Sequence, residues 1–242
     1  MRRGGFPPEP RRDHNVAAAS QPARCTLSEN PTLVTAEHVR YLAARTTPED
    51  DFLRELKRAA LGAGMPPIWI APEQASFMQI LLRLCDASRV VEVGTLAGYS
   101  AICMARALPP TGRVHTIEID PERARFAADW VARSDVAGRV EVHRGAGRDV
   151  LRDFAADSAD AAFLDADKAS YPDYLEECLR IVRAGGLVMA DNAFAFGQLF
   201  DPSPTDRDVG AIRTFNDLVA GDTRLRSIIV PLGDGLWVGV KR

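Results

Sequence analysis

The amino-acid sequence predicts an α/β fold: a seven-stranded, mostly parallel sheet with helices on both faces and an antiparallel pair of strands at the C-terminus. Three observations carry that prediction. Short β-branched runs alternate with helical stretches from Arg89 to Ala190, the pattern of a parallel sheet with crossover helices. The run Arg89-Val90-Val91-Glu92-Val93 leads into a turn with glycine at both ends, Gly94 and Gly98, and then a helix from Tyr99. Towards the C-terminus, two further strands flank Gly233-Asp234-Gly235, a hairpin-type turn. The arrangement is Rossmann-like, and ligands of such sheets bind beyond the carboxyl ends of the strands.

The elements follow in order. Residues 1–30 carry Arg2, Arg3, Arg11, Arg12 and Arg24 among prolines and alanines without apolar periodicity. They are expected to form a disordered arm ahead of a single domain over 31–242. Accessory helices are expected in 31–85: one at Ala36–Leu42, one opened by the capping sequence Thr47-Pro48-Glu49-Asp50, and one over Glu73–Cys85. In the third, Phe77, Ile80, Leu81 and Leu84 recur at helical spacing, and the helix is expected to cover one side of a ligand. Trp69, before it, reads equally as a pocket wall or as core packing.

From Arg89 onward, strands are expected at Arg89–Val93, Val114–Ile119, Val140–Arg144, Ala161–Leu164, Leu187–Ala190, Leu225–Val230 and Leu236–Val240. Helices are expected at Tyr99–Leu108, Pro121–Ser134, Tyr171–Val182 and Asp206–Val219, with a short one from Asp149.

Composition narrows the partners. The formal charge of −3 over 242 residues gives no general attraction to nucleic acid or an anionic membrane. No apolar run approaches the roughly 18 residues that span a bilayer, and no secretory leader is apparent. Cys25, Cys85, Cys103 and Cys178 are widely and irregularly spaced, as expected of reduced thiols in the cytoplasm.

The first strand's turn reads as a ligand cradle, with helical N–H groups above it. Glu118, ending the next strand, is placed to accept both hydroxyls of a ribose. Leu96 stands where a pyrophosphate-binding fingerprint needs its second glycine, which disfavours a dinucleotide. A nucleoside with a small zwitterionic tail fits instead, and S-adenosylmethionine is the commonest such cofactor.

Past the fourth strand stands Asp165-Ala166-Asp167-Lys168, and past the fifth Asp191-Asn192. In one parallel sheet Asp165, Asp191 and Asn192 converge as hard oxygen donors suited to a divalent cation, Mg²⁺ first and Ca²⁺ or Mn²⁺ after it. Lys168 would lie beside that ion, where a neighbouring positive charge favours its neutral, proton-accepting form.

These motifs, with Gly185-Gly186-Leu187 and Pro231-Leu232-Gly233-Asp234-Gly235-Leu236, resemble the cation-dependent class I O-methyltransferases of the caffeoyl-coenzyme A and catechol type. The resemblance runs from about Thr35 to the C-terminus. It implies that Glu92 and the turn Gly94, Thr95, Gly98, Tyr99, Ser100 hold the methionine part of the cofactor. It implies ribose binding by Glu118, adenine bordered by Ala146, and Asp165 beside the cofactor. It further implies Asp165, Asp191 and Asn192 as metal ligands, Lys168 as catalytic base, and a homodimer acting on a small aromatic acceptor.

Two departures stand out. Ala195 replaces a tryptophan that shapes the acceptor pocket in many relatives, and Gln74-Ala75-Ser76 replaces a Glu-Gly-Gln segment. The alternatives are a tRNA hydroxyuridine methyltransferase using the N-terminal arginines, a non-catalytic cofactor-binding homologue, and, more weakly, a dehydrogenase.

Overall fold

The structure is a computed structural model and describes residues 32–242; the expected disordered arm and Cys25 lie outside the described residues. Residues 40–242 pack as one compact unit, to which the described residues 32–39 do not belong. Three helices precede the sheet: α1 (Ala36–Ala43), α2 (Asp51–Gly62) and α3 (Pro72–Leu84). Then follow β1 (Arg89–Val93), α4 (Tyr99–Ala107), β2 (Arg113–Glu118), α5 (Pro121–Arg133), β3 (Val140–Arg144), α6 (Gly147–Val150) and β4 (Ala159–Leu164). The chain ends with α7 (Tyr171–Ile181), β5 (Val182–Ala190), α8 (Val209–Gly221), β6 (Leu225–Val230) and β7 (Leu236–Lys241). Among the described residues no helix is long and apolar enough to cross a membrane.

The sheet has the expected seven strands, in the order β3-β2-β1-β4-β5-β7-β6. The first five are parallel, and β7 runs antiparallel to both β5 and β6. Two apolar clusters explain why the central strands read as unbroken β-branched runs. Val90, Val114, Phe163 and Met189 pack on one face with the buried residues of α2, α3 and α4, while Val91, Val93, Ile117 and Val188 pack on the other with α7. A strand buried on both faces has no polar side to alternate with.

Several boundaries move. β5 begins at Val182 rather than Leu187, because a register shift beside Ala159/Ala161 lets the strand run through Gly185-Gly186. A Cβ on Gly186 would lie 2.6 Å from the Asp160 carbonyl oxygen, so glycine there lets the strands close up. β2 starts and ends one residue earlier than expected, and α8 starts at Val209 rather than Asp206.

The larger correction concerns α3. Its buried side is Gln74, Ala75, Met78 and Leu82. Of the stripe the sequence suggests, Ile80 and Leu84 are instead 55% and 77% exposed, while Phe77 and Leu81 only flank the core. Both stripes have helical spacing, so periodicity alone does not choose between them; in the fold Ala75, Met78 and Leu82 pack into the core with α4, and Gln74 on the same face reaches a buried carboxylate.

Opposite the carboxyl ends of the strands, Asp160 ties three segments together. Its Oδ2 accepts from the N–H groups of Ser88 and Arg89, each at 2.9 Å, and from Ser88 Oγ at 3.0 Å. Its Oδ1 accepts from Arg183 Nε at 2.7 Å. Burial by itself would raise the pKa of this carboxyl, but the Arg183 guanidinium and the Ser88 and Arg89 donors outweigh it and hold the pKa at about 2. Asp160→Ala leaves those donors unpaired and is expected to cost about 2–3 kcal/mol in urea unfolding near neutral pH. Because the folded pKa is depressed, the difference from wild type should persist above the ordinary carboxylate range and close as the pH falls from about 4 towards about 2.

Candidate active site at the carboxyl edge of the sheet

The turn after β1 is shaped from below. Gly94 has φ +101°, and a Cβ there would lie 1.9 Å from the Asp165 carbonyl oxygen, while Asp165 N–H donates to the Val93 carbonyl at 2.9 Å. The close approach of the loop after β4 therefore by itself requires glycine at position 94, which also lines the cleft described below. Gly98, φ +85°, caps α4 in a left-handed conformation, and Leu96 is left-handed too, at φ +50°. Leucine thus takes a backbone shape that glycine adopts freely, held by its N–H donating to Glu118 Oε2 at 2.8 Å.

A cleft of about 570 Å³ opens above these elements, lined among others by Gly94, Leu96, Glu118, Asp165, Lys168 and Asn192. That volume is within the usual range for a small-molecule site. Glu118 accepts from the N–H of Asp120 at 3.0 Å as well as from Leu96. Each carboxylate oxygen keeps a lone pair for a further donor such as a ribose hydroxyl. Gly145 and Gly147, on either side of Ala146, also line the cleft.

Glu92 does not line it. It is fully buried and accepts from Ser100 Oγ at 2.5 Å and Thr116 Oγ1 at 2.6 Å, with Thr95 Oγ1 2.6 Å from Thr116 Oγ1. Burial outweighs those hydrogen bonds and pushes its pKa up to about 8. Glu92 thus fixes the turn and the first turn of α4 from beneath. Thr95, Tyr99, Ser100 and Trp69 line a smaller adjoining pocket together with Gly94 and Asp165, so Trp69 is a pocket wall that also packs on the core. Lys57 Nζ stands 4.3 Å from the centroid of the Tyr99 ring.

Beyond β4 and β5 the oxygen-rich set comes together. Asp191 N–H donates to the Leu164 carbonyl at 2.9 Å, which brings Asp191 beside Asp165 across adjacent strands. Lys168 Nζ lies 3.2 Å from Asp165 Oδ1 and 2.6 Å from Tyr171 Oη. Tyr171 is itself buried, donates to the Leu164 carbonyl at 3.1 Å, and has its pKa raised chiefly by burial. Asp191 is buried, and that burial, followed by the charge of Asp165, raises its pKa. Two crowded carboxylates facing one lysine, with an amide alongside, fit a divalent cation in both charge and donor chemistry.

The structure adds residues that sequence reasoning did not identify as part of the site. Gln74 of α3, 1% exposed, donates from Nε2 to Asp191 Oδ1 at 2.8 Å. Its signals in the sequence are an amide in a largely apolar helix and its place in the segment that departs from the family's Glu-Gly-Gln. Asp234, in the turn between β6 and β7, accepts from Asn192 Nδ2 at 3.2 Å and from Phe196 N–H at 2.8 Å. That leaves the Asn192 amide oxygen available on a left-handed residue, φ +68°. Ala195, at the tryptophan position, is fully buried with φ +52°, while Phe196, φ +57°, lines the cleft. An aromatic wall is thus present one residue later.

Comparison with known proteins agrees with this geometry. Residues 43–242 match the O-methyltransferase family. The chain is 38% identical over 196 residues to the catechol O-methyltransferase of Niastella koreensis, covering 80% of this chain and 86% of that protein. The structure resembles the O-methyltransferase from Bacillus cereus in complex with SAH, with TM-score 0.76, 31% identity, and coverage of 84% of this chain and 96% of that one. It also resembles TomG from Streptomyces achromogenes, involved in tomaymycin synthesis and solved with SAM, with TM-score 0.73, 32% identity, and coverage of 84% and 94%. The chain therefore belongs to the O-methyltransferase family and is an S-adenosylmethionine-dependent methyltransferase.

Proposed function

We propose that the enzyme methylates a hydroxyl of a small, catechol-like aromatic, using a divalent cation held by Asp165, Asp191 and Asn192 and taking Lys168 as its general base. The observation that carries this reading is that Asp165, Lys168 and Asn192 line one cleft with Gly94 and Glu118, with Asp191 buried behind them, its N–H paired to the Leu164 carbonyl next to Asp165. The bound SAM and SAH of the Streptomyces and Bacillus proteins support a cofactor over the β1 turn, with Glu118 on the ribose and Gly145 to Gly147 beside the adenine.

A hard divalent ion, Mg²⁺ in preference to Ca²⁺ or Mn²⁺, supplies Lewis acidity that lowers the pKa of a phenolic hydroxyl. Lys168, supported by Tyr171 Oη and Asp165, accepts the hydroxyl proton at Nζ as the oxygen attacks the sulfonium methyl. Gln74 orients Asp191 and Asp234 orients Asn192, so the donor set is preorganised before an ion arrives. Phe196 offers an aromatic face to the acceptor ring.

The lining also bears on the acceptor. Glu118, Asp165, Asp167, Asp206 and Asp208 outnumber Arg123 and Lys168 around the cleft. Such a field repels polyphosphate and favours a neutral or cationic phenol over a coenzyme A thioester or tRNA. The name of the Niastella relative supports the same class. Ile80 and Leu84, exposed on α3, support the assembly we propose, a homodimer, which light scattering should detect as twice the mass of one chain. Among the described residues Cys85, Cys103 and Cys178 are free thiols, which supports a cytoplasmic setting.

Methyl transfer to a panel of catechols tests the chemistry. Chelator should abolish turnover and Mg²⁺ restore it, and Lys168→Met should lower kcat by roughly 10²–10⁴-fold. Gln74→Leu should lower kcat by about 10–100-fold at added Mg²⁺ near its wild-type optimum, with part of the loss recovered at higher Mg²⁺. Turnover indifferent to chelator refutes the cation, and faster turnover of a coenzyme A thioester or tRNA refutes the acceptor class.

A further inference from the structure

Near the β3 edge of the sheet, two of the chain's four histidines meet a glutamate. His115 of β2 is paired with Glu141 of β3, and Ile117 with His143. Strand residues two apart point the same way, so His115, Glu141 and His143 share one face of this ladder. His115 Nδ1 lies 3.0 Å from His143 Nε2, and Glu141 places carboxylate oxygens 3.4 Å from the former and 3.7 Å from the latter. A tetrahedral ion with bonds of about 2.0–2.1 Å holds its donors about 3.3 Å apart. The three side chains therefore stand close to the spacing that such an ion requires.

The surroundings make this more than a surface coincidence. The Phe154 ring meets both imidazoles edge-on, with centroids 5.4 Å from His115 and 5.8 Å from His143. Both rings are thus packed and oriented, with side chains 24% and 27% exposed, while Glu141 is 62% exposed on the solvent side. One of the donors is reachable from water, and two are preorganised.

We propose that His115, Glu141 and His143 form a second metal site, selective for a borderline divalent transition ion such as Zn²⁺, with water completing the coordination. Two imidazole nitrogens and one carboxylate oxygen prefer such an ion to Mg²⁺ or Ca²⁺, the opposite of the oxygen set at Asp165, Asp191 and Asn192. The site joins β2 to β3 just before Glu118 and Gly145, two residues of the cleft wall. Its ion would brace that wall against fraying and take no part in methyl transfer. The inference stands whether or not the proposed acceptor is correct.

The full chain, in excess Mg²⁺ to fill the oxygen set, should be titrated with Zn²⁺ by calorimetry, with Co²⁺ as a spectroscopic substitute. We expect one Zn²⁺ per chain that Mg²⁺ does not displace, a Zn²⁺-dependent rise in Tm, and visible Co²⁺ absorption of four-coordinate type. His115→Ala and His143→Ala should each weaken Zn²⁺ binding by more than about tenfold, the loss that even an outer partner of a metal site produces. Asp191→Asn should leave that binding unchanged. Should a histidine variant fail to fold, Glu141→Ala removes only an exposed carboxylate and should weaken Zn²⁺ in the same way. No Zn²⁺ binding at micromolar concentration, binding that survives these substitutions, or binding lost in Asp191→Asn overturns the proposal.

Discussion

The site depends on how closely β1 and β4 approach at their carboxyl ends. Asp165 carbonyl oxygen occupies the space where a side chain on Gly94 would be, and Asp165 N–H closes the contact through Val93. From that one contact follow the position of the Asp165 carboxylate and the reach of Lys168, three residues on. A side chain at position 94 would drive the two loops apart and part the Leu96 and Glu118 side of the cleft from the Asp165 and Lys168 side. Glycine is here a packing requirement between two loops that each carry part of the chemistry.

Charge is distributed unevenly about this contact. Asp160, at the far end of the strands, is fully matched by Arg183 and by N–H groups, and its pKa is low; it serves stability. Glu92 and Asp191, near the cleft, have raised pKa values because burial outweighs their partners. Buried carboxylates whose partners do not make up for lost hydration cost stability, the usual mark of positions kept for a site and not for the fold. The two ends of the same strands thus place the same residue types to opposite purposes.

The C-terminal hairpin contributes more than an edge to the sheet. Its turn binds the loop after β5 through Asp234, with Phe194 N–H donating to the Asp234 carbonyl at 2.8 Å and Ala193 N–H to that of Gly235 at 2.9 Å. A Cβ on Gly235 would lie 2.9 Å from the Phe194 ring, so the turn is shaped to receive that loop. β5, its loop and the hairpin, the last separated from them in the chain by α8, therefore act together as one support for Asn192 and Phe196.

The strands, their order of appearance, and the acids that end them were all legible in the sequence, because short apolar runs bounded by glycine and polar turns are local signals. So was the gathering of Asp165, Lys168, Asp191 and Asn192, since parallel strands must present their carboxyl ends together. Only the tertiary structure decided which face of α3 is buried, that Gln74 and Asp234 hold Asp191 and Asn192, that Phe196 lines the cleft while Ala195 is buried, and that His115 and His143 meet. Each of these is a contact between residues far apart in the chain, set by register and close packing, and periodicity along one segment carries no information about the neighbour that segment will find.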